Sequence, residues 1–172
     1  MSAMAQFYAR WEQSLPLTQP GSWVTLMPLP QLNDHGYLPP GEHSAAWKEM
    51  ELTFGWNYKR KNLLVGLHYT VKSLIEFGVD EFYVDGSFVT DKPRPRDIEV
   101  VYMPPTAGPC NSWGLFDFSQ HETLKRQHGI DLWPYPSPQP TSRGIVTIKD
   151  FFSFDRDDIP KGIIRLDLEG FE

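Results

Sequence analysis

Two acidic residues in an otherwise apolar segment are the part of this sequence best suited to chemistry. Asp97 and Glu99 are two positions apart in the run DIEVVY, whose Ile, Val and Tyr residues favour a β-strand. Residues two apart in a strand point to the same face, about 6.5 to 7 Å apart along the chain. Both carboxylates would therefore lie on one side of a sheet, and the pair predicts a site that holds a metal cation.

A Gly-Ser turn and a third acid supplement this pair. Gly86 and Ser87 follow the apolar run FYVD, and a glycine at that point lets the backbone approach a ligand closely. Ser87 can cap a short helix or offer an N–H and a hydroxyl to a phosphate. Asp131 lies in the strand-like segment GIDLW. Three carboxylates on adjacent strands can bind two Mg²⁺ ions, as in phosphoryl or nucleotidyl transfer.

The same acids also fit a purely structural interpretation. Asp97 would then begin a strand, Glu99 would lie on its solvated face, and Asp131 would be a turn residue. Composition alone favours this alternative, because motifs this short are weak signals. If the acids do cluster, repulsion between them would keep some protonated without a cation, so cation binding and ionisation would be coupled.

Basic residues precede the acids in the chain. Lys92, Arg94 and Arg96 belong to the loop KPRPR, which is too rich in proline to be helical. Arginine forks phosphate oxygens well, so this loop would neutralise a triphosphate or contact an RNA end; the alternative is an ordinary solvated loop. A second basic cluster at residues 59–61 is predicted to be the solvated first turn of a helix.

Zinc and thiol chemistry have little support in the sequence. His121 and His128 are separated by two helical turns, but no second cysteine or close histidine pair completes a tetrahedral zinc site. Cys110 is the only cysteine, and no motif marks it as a nucleophile. An intramolecular disulfide is therefore excluded, which favours a reducing compartment.

Size and charge limit what the acids can belong to. With 172 residues, 40% of them hydrophobic, the chain is long enough for one well-buried core and too short for two ordinary domains. A net charge of −6 argues against nucleic-acid binding through bulk electrostatics, although a local basic strip is compatible with it. The beginning of the sequence lacks a signal-peptide pattern, and no apolar run reaches the roughly 18 residues of a membrane span. We therefore expect a soluble cytoplasmic protein.

The elements that must position the acids can be predicted from periodicity. The clearest is a helix over 58–77, whose apolar residues recur on one face and which Gly78 ends. A strand at 81–84 follows, giving the order helix, strand, loop, strand around the Gly-Ser turn. Weaker patterns predict a helix after the Ser44 cap, a helix at 115–127, strands at 129–133 and 144–148, a short helix at 149–154 and a last, edge strand at 162–168.

The segment YVDGSFVTDKPRPRDIEVVY resembles the DNA polymerase β-like nucleotidyltransferase superfamily, and in particular a poorly characterised group of minimal bacterial and phage members. The likeness extends to LPPGEHSAAWKEM, KRKNLLVGL and FFSFDRDDIPKGIIRLDL, and so covers most of residues 36–168. It implies that Gly86 and Ser87 hold nucleotide phosphates and that Asp97 and Glu99 carry metal. Asp131 would be the third metal ligand and a base toward the acceptor hydroxyl.

The resemblance implies an Mg²⁺- or Mn²⁺-dependent enzyme that moves a nucleotide from an NTP to a hydroxyl of RNA, such as tRNA, or of a protein, in a toxin–antitoxin, defence or phage setting. Two departures stand out. Pro93 and Pro95 interrupt a loop that larger members continue as helix, and Asp117 is an alternative to Asp131 as the third acid. No second domain for acceptor recognition is evident, so a partner, an oligomer or the substrate itself would supply it.

The predicted architecture is an α+β domain at residues 36–172, after an N-terminal extension at residues 1–35. Its nucleotidyltransferase-like mixed sheet would carry helices mainly on one side and the acidic centre at one edge. A catalytically silent binding protein of the same fold, acting as an antitoxin, inhibitor or assembly subunit, is the alternative function. The aromatic, proline-rich extension motivates that alternative.

Overall fold

The computed structural model describes residues 28–105, 118–142 and 144–171. Its strands are β1 (Gly41–Ala46), β2 (Phe82–Asp85), β3 (Ile98–Tyr102), β4 (Ile130–Pro134), β5 (Gln139–Thr141), β6 (Gly144–Val146) and β7 (Gly162–Asp167). Its helices are α1 (Trp47–Phe54), α2 (Tyr58–Glu76), α3 (Phe118–His128) and α4 (Ile148–Phe152), and a 3₁₀ turn spans Gly86–Val89.

A mixed sheet of five strands, in the order β1-β7-β2-β3-β4, forms the centre of the fold. The two outer pairs, β1 with β7 and β3 with β4, are parallel, whereas β2 is antiparallel to both of its neighbours. Strands β5 and β6 form a separate two-stranded sheet. The predicted α+β class with a mixed sheet is thereby confirmed.

The strands alternate their side chains between two apolar clusters. Ile98 and Val100 point into the main core, where they meet apolar residues of α1 and α2 and the partly buried Leu124 of α3. Tyr83 and Val101 point the other way, into a smaller cluster that includes Ile148 of α4. Helices α1 and α2 therefore cover one face of the sheet, the second face receives the shortest helix, α4, and α3 packs beside the edge strand β4.

Helix α2 follows the predicted span closely. The side chain of Asn57 caps it by accepting a hydrogen bond from the backbone N–H of Arg60, and Phe77 ends it. Its buried apolar residues, Leu63, Leu64, Leu67, Val71 and Leu74, recur at helical spacing and face the sheet. This long, periodic helix is the element that local sequence determines best.

The helix predicted after Ser44 and the last predicted strand are both present, but the predicted cap and the predicted edge position are wrong, for one shared reason. Ser44 caps no helix; it lies inside β1, opposite Arg165 of β7, and the helix begins only at Trp47. Strand β7 was predicted to lie at the edge of the sheet. It is an inner strand instead, because β1 pairs with its outer side. The parallel pairing of β1 with β7 joins segments far apart in sequence, and local periodicity carries no signal for it.

Other predictions differ at their ends or concern residues outside the described ranges. The strand predicted at 144–148 stops at Val146, because Thr147 caps α4 by accepting the N–H of Asp150. Asp117 and Cys110 lie outside the described residues, as does most of the N-terminal extension. Leu29 and Leu32, from the described end of that extension, pack against the main core. None of the described helices has the length and apolar character of a membrane-spanning segment.

Candidate functional site

The acids predicted from sequence come from two neighbouring strands. In the parallel pairing of β3 with β4, Glu99 lies directly opposite Asp131. Their neighbours Ile98 and Val100 in β3, like Ile130 in β4, point into the main core. Because side chains alternate along a strand, Glu99 and Asp131 point to the opposite face, away from α1 and α2.

Asp97 and Asp131 are held together by one ammonium group. The Nζ atom of Lys125, on α3, lies 3.1 Å from Asp97 Oδ2 and 2.5 Å from Asp131 Oδ2. Although burial acts to lower it, these hydrogen bonds raise the pKa of Lys125. The two carboxylates therefore share a cation that the protein itself supplies.

The other oxygen of Asp131 is also occupied. The Nε2 atom of His121 lies 2.7 Å from Oδ1, and the indole N–H of Trp133 donates to the same oxygen over 2.9 Å. Asp131 is buried, and these contacts fix the direction of its carboxylate. Oδ2, which faces Lys125, is left as the oxygen directed toward Asp97.

Glu99 is the acid whose negative charge is least balanced by hydrogen bonds or by nearby cations. Its Oε2 atom is buried and makes no hydrogen bond with the part of the chain that the structure describes. Burial, followed by the charges of Asp85 and Asp97, raises the pKa of Glu99 to about 7. A carboxylate in this position would gain strongly from a nearby cation.

A fourth acid, Asp85, lies beside Glu99, opposite it in the pairing of β2 with β3. The ammonium of Lys161 contacts its two carboxylate oxygens at 2.7 and 2.9 Å, and both residues are buried. Burial raises the pKa of Asp85 to about 6 even though Lys161 opposes that shift. Asp85 is therefore paired inside the protein, directly before the Gly86-Ser87 turn.

The Gly86-Ser87 turn begins the 3₁₀ segment at the end of β2, and the carbonyl of Ser87 accepts a hydrogen bond from the Thr90 hydroxyl. Arg60 holds the rest of this loop. Its guanidinium makes five hydrogen bonds to the backbone carbonyls of Phe54, Phe88, Thr90 and Lys92. The loop between the turn and the acids is thus fixed to the start of α2.

The prediction that residues 59–61 form a solvated turn is wrong for Arg60. Lys59 and Lys61 are exposed, but Arg60 is fully buried, with 0% of its surface accessible. Its partners are main-chain carbonyls of a distant loop and of the end of α1, and such acceptors leave no mark in the sequence. A buried arginine with this many acceptors acts as a structural tie.

The predicted basic loop lies on the surface. Lys92, Arg94 and Arg96 are all exposed, and Arg96 directly precedes Asp97. Asn57 donates to the carbonyl of Pro93 over 2.8 Å, and Lys59 donates to that of Arg96 over 3.3 Å. The backbone of the loop is therefore anchored, while its three cationic side chains face solvent just before the start of β3.

His121, Lys125 and Asp85 were not among the residues predicted for the site. The first two are four residues apart on α3, a spacing that puts side chains on one helical face. That spacing is a signal present in the sequence, although it does not show which strand the face meets. Asp85 had a signal as well, since it directly precedes the Gly-Ser pair.

Asp97, Glu99 and Asp131 offer the oxygen donors that a divalent cation prefers. Among the residues described, no group of three or more His, Cys, Asp or Glu side chains is already arranged as a metal site. The donor set nevertheless suits Mg²⁺ or Mn²⁺: Asp97 and Asp131 already hold a cation between them, and Glu99 has a buried oxygen without a partner. These oxygens are hard ligands on one face of the sheet.

Comparison with known proteins places the chain in a family. The profile described as "Family of unknown function (DUF6932)" matches residues 30–167. Because this match spans well over half of the chain, the chain belongs to that family. No curated protein and no solved structure matches the chain significantly.

Proposed function

We propose that this member of DUF6932 is an Mg²⁺-dependent nucleotidyltransferase, which moves a nucleotide from an NTP to a hydroxyl of RNA. The observation that carries the proposal is the register of β3 and β4, which puts Glu99 opposite Asp131 while Lys125 joins Asp131 to Asp97. This acidic face adjoins the Gly86-Ser87 turn. Carboxylates beside a turn suited to phosphate are the arrangement that metal-assisted nucleotidyl transfer needs.

In this mechanism Asp97, Glu99 and Asp131 would hold the metal. Bound Mg²⁺ would supply the positive charge that the triphosphate and the attacking hydroxyl require. Ser87 would contact the outer phosphates through its backbone N–H and its hydroxyl, and Gly86 would let the backbone approach them closely. Asp131, whose carboxylate is oriented by His121 and Trp133, would also act as the base toward the acceptor hydroxyl. The hydroxyl oxygen bonds to the α-phosphorus, and pyrophosphate leaves.

The surface beside the acids favours RNA over protein as the acceptor. The exposed cations of the loop, Lys92, Arg94 and Arg96, adjoin the start of α2, where Trp56 is 52% and Tyr58 is 77% exposed. Exposed aromatic rings stack on unpaired bases, while cations follow the phosphate backbone. In a chain of net charge −6, such a cluster is a local feature suited to a polyanion.

Labelling experiments test the activity directly. The protein is incubated with each α-³²P-labelled NTP, Mg²⁺ and either total RNA or a protein extract, and transfer of label to RNA is expected. The double variant Asp97→Asn, Glu99→Gln should abolish transfer, whereas Glu76→Gln, an exposed acid at the end of α2, should leave it unchanged. Transfer of label to protein would show that the acceptor is a protein and not RNA. If the folded protein does not bind MgNTP, the proposal that it is a nucleotidyltransferase is refuted.

One observation favours a second function, that of a catalytically silent binding protein. Lys125 already neutralises Asp97 and Asp131, so the acids have a structural use without any metal. In that case the double variant would keep the biological effect, and removal of residues 1–27 would abolish it. The truncation should stop there, because Leu29 and Leu32 pack against the core.

A further inference from the structure

We infer that Lys125 is a built-in counter-cation that competes with the divalent metal for Asp97 and Asp131, and that it must leave these acids when metal binds. The inference rests on the proposed function, because it concerns the same acids. It goes beyond that function by assigning the control of metal affinity to a residue of α3. Lys125 acts through the two acids and is a positioning residue, not a catalytic one.

The contacts of Lys125 support competition. Its ammonium reaches an Oδ2 atom of each acid, at 3.1 and 2.5 Å, and thereby occupies the space between the two oxygens that a shared cation would need. Oδ1 of Asp131 is already held by His121 and Trp133. A metal ion can therefore reach Asp131 only through the oxygen that Lys125 holds.

Lys125 is also able to leave. Its side chain is 35% exposed, whereas the side chains of Asp97 and Asp131 are 19% and 11% exposed. The flexible four-carbon stem of lysine lets the ammonium move into water without any change in the backbone of α3. The acids, which belong to the sheet, stay in place. The exchange of one cation for another thus needs only a side-chain rotation.

Direct titration with Mn²⁺, followed by electron paramagnetic resonance, measures this competition without any reaction. Lys125→Gln should bind Mn²⁺ at least about tenfold more tightly than the wild type, because no internal cation has to be displaced. Lys125→Arg keeps the charge and should bind no more tightly than the wild type. Arg126→Gln is the matched control: it removes a neighbouring exposed charge on the same helix and should change affinity little.

A second measurement uses the wild-type protein and does not depend on whether a variant folds. Mass spectrometry can follow acetylation of each lysine by a limiting amine reagent, with and without Mn²⁺. Lys125 should become more reactive when Mn²⁺ binds, whereas Lys72, an exposed lysine of α2, should not change.

The outcomes separate this inference from the proposed function. Tighter binding by Lys125→Gln together with metal-dependent exposure of Lys125 supports the inference. If wild type and Lys125→Gln bind Mn²⁺ equally, or the reactivity of Lys125 stays constant as Mn²⁺ saturates the protein, competition is refuted while the metal site survives. If neither protein binds Mn²⁺ when folded, the inference and the proposed function both fail.

Discussion

The carboxylate of Glu99 lies directly against the α-carbon of Gly86. A Cβ atom at position 86 would come within 1.0 Å of Glu99 Oε2, and the backbone there has a φ of +80°. The turn that would bind phosphate and the strand that would bind metal are therefore one packed unit. Only glycine satisfies both the backbone conformation and the space at this position.

Gly86→Ala should weaken the site in two ways. The methyl group would push the Glu99 carboxylate aside, and the left-handed backbone would cost about 1–2 kcal/mol of folding stability. We expect Mn²⁺ affinity to fall at least about tenfold, as measured by paramagnetic resonance alongside urea unfolding. Gly170→Ala is the matched control, since Gly170 has a φ of +70° with nothing near its missing side chain. Equal loss of Mn²⁺ affinity in both variants would refute the steric explanation.

The raised pKa of Glu99 predicts a pH-dependent cost in the metal-free protein. Its pKa is about 7 in the folded state, against a usual value of 4.5, so the folded protein binds this proton more tightly than the unfolded chain does. Stability from Glu99 is therefore greatest at low pH and decreases as pH rises from about 4.5 through about 7. Saturating Mg²⁺ should reduce the loss, because the cation stabilises the ionised form.

Glu99→Gln isolates this contribution. The unfolding free energy of the variant minus that of the wild type should rise by on the order of 2 kcal/mol between about pH 5 and about pH 8, after allowance for partial exposure. Urea unfolding in the presence of a chelator gives both values. Glu76→Gln, which removes a carboxylate at an exposed position, is the matched control. If the difference in unfolding free energy between Glu99→Gln and the wild type does not change with pH, burial does not raise the pKa of Glu99.

Local signals in the sequence predict the parts of the fold that depend on neighbouring residues. Helix α2 has a capping asparagine and an uninterrupted apolar face, and the β2–β3 unit has two apolar runs around a Gly-Ser turn. Strand periodicity fixes the face of the sheet on which each acid lies, and so it allowed three acids to be predicted as site residues: Asp97, Glu99 and Asp131. Their convergence then requires only that β3 and β4 be neighbours.

The remaining features depend on contacts between distant segments. The last strand was predicted at the sheet edge but lies inside the sheet, because β1 pairs with it. No local sequence pattern indicates this pairing. The burial of Arg60 depends on where four carbonyls of two other segments come to lie. Lys125 lies in the last turn of α3, where basic residues are common, and only the packing of α3 beside β4 brings its ammonium to the acids.

Arg60→Met should destabilise the protein by roughly 3–5 kcal/mol. The variant keeps a long apolar side chain but leaves the carbonyls of Phe54, Phe88 and Thr90 without their donor. Urea unfolding measures the loss, and faster amide hydrogen exchange in residues 86–92 would show that the loop has loosened. Lys61→Met, at the exposed next position, should change stability by less than about 0.5 kcal/mol. Similar values for both variants would refute the role of Arg60 as a tie.

The buried pair of Asp85 with Lys161 should show strong coupling. Lys161→Met leaves a buried carboxylate unpaired and should cost roughly 3–5 kcal/mol, whereas the double variant Asp85→Asn, Lys161→Met removes both charges and should recover much of that loss. Lys48→Met, which breaks an exposed pair, should cost less than about 1 kcal/mol. Additive effects in the unfolding cycle would show that the two buried charges do not depend on each other.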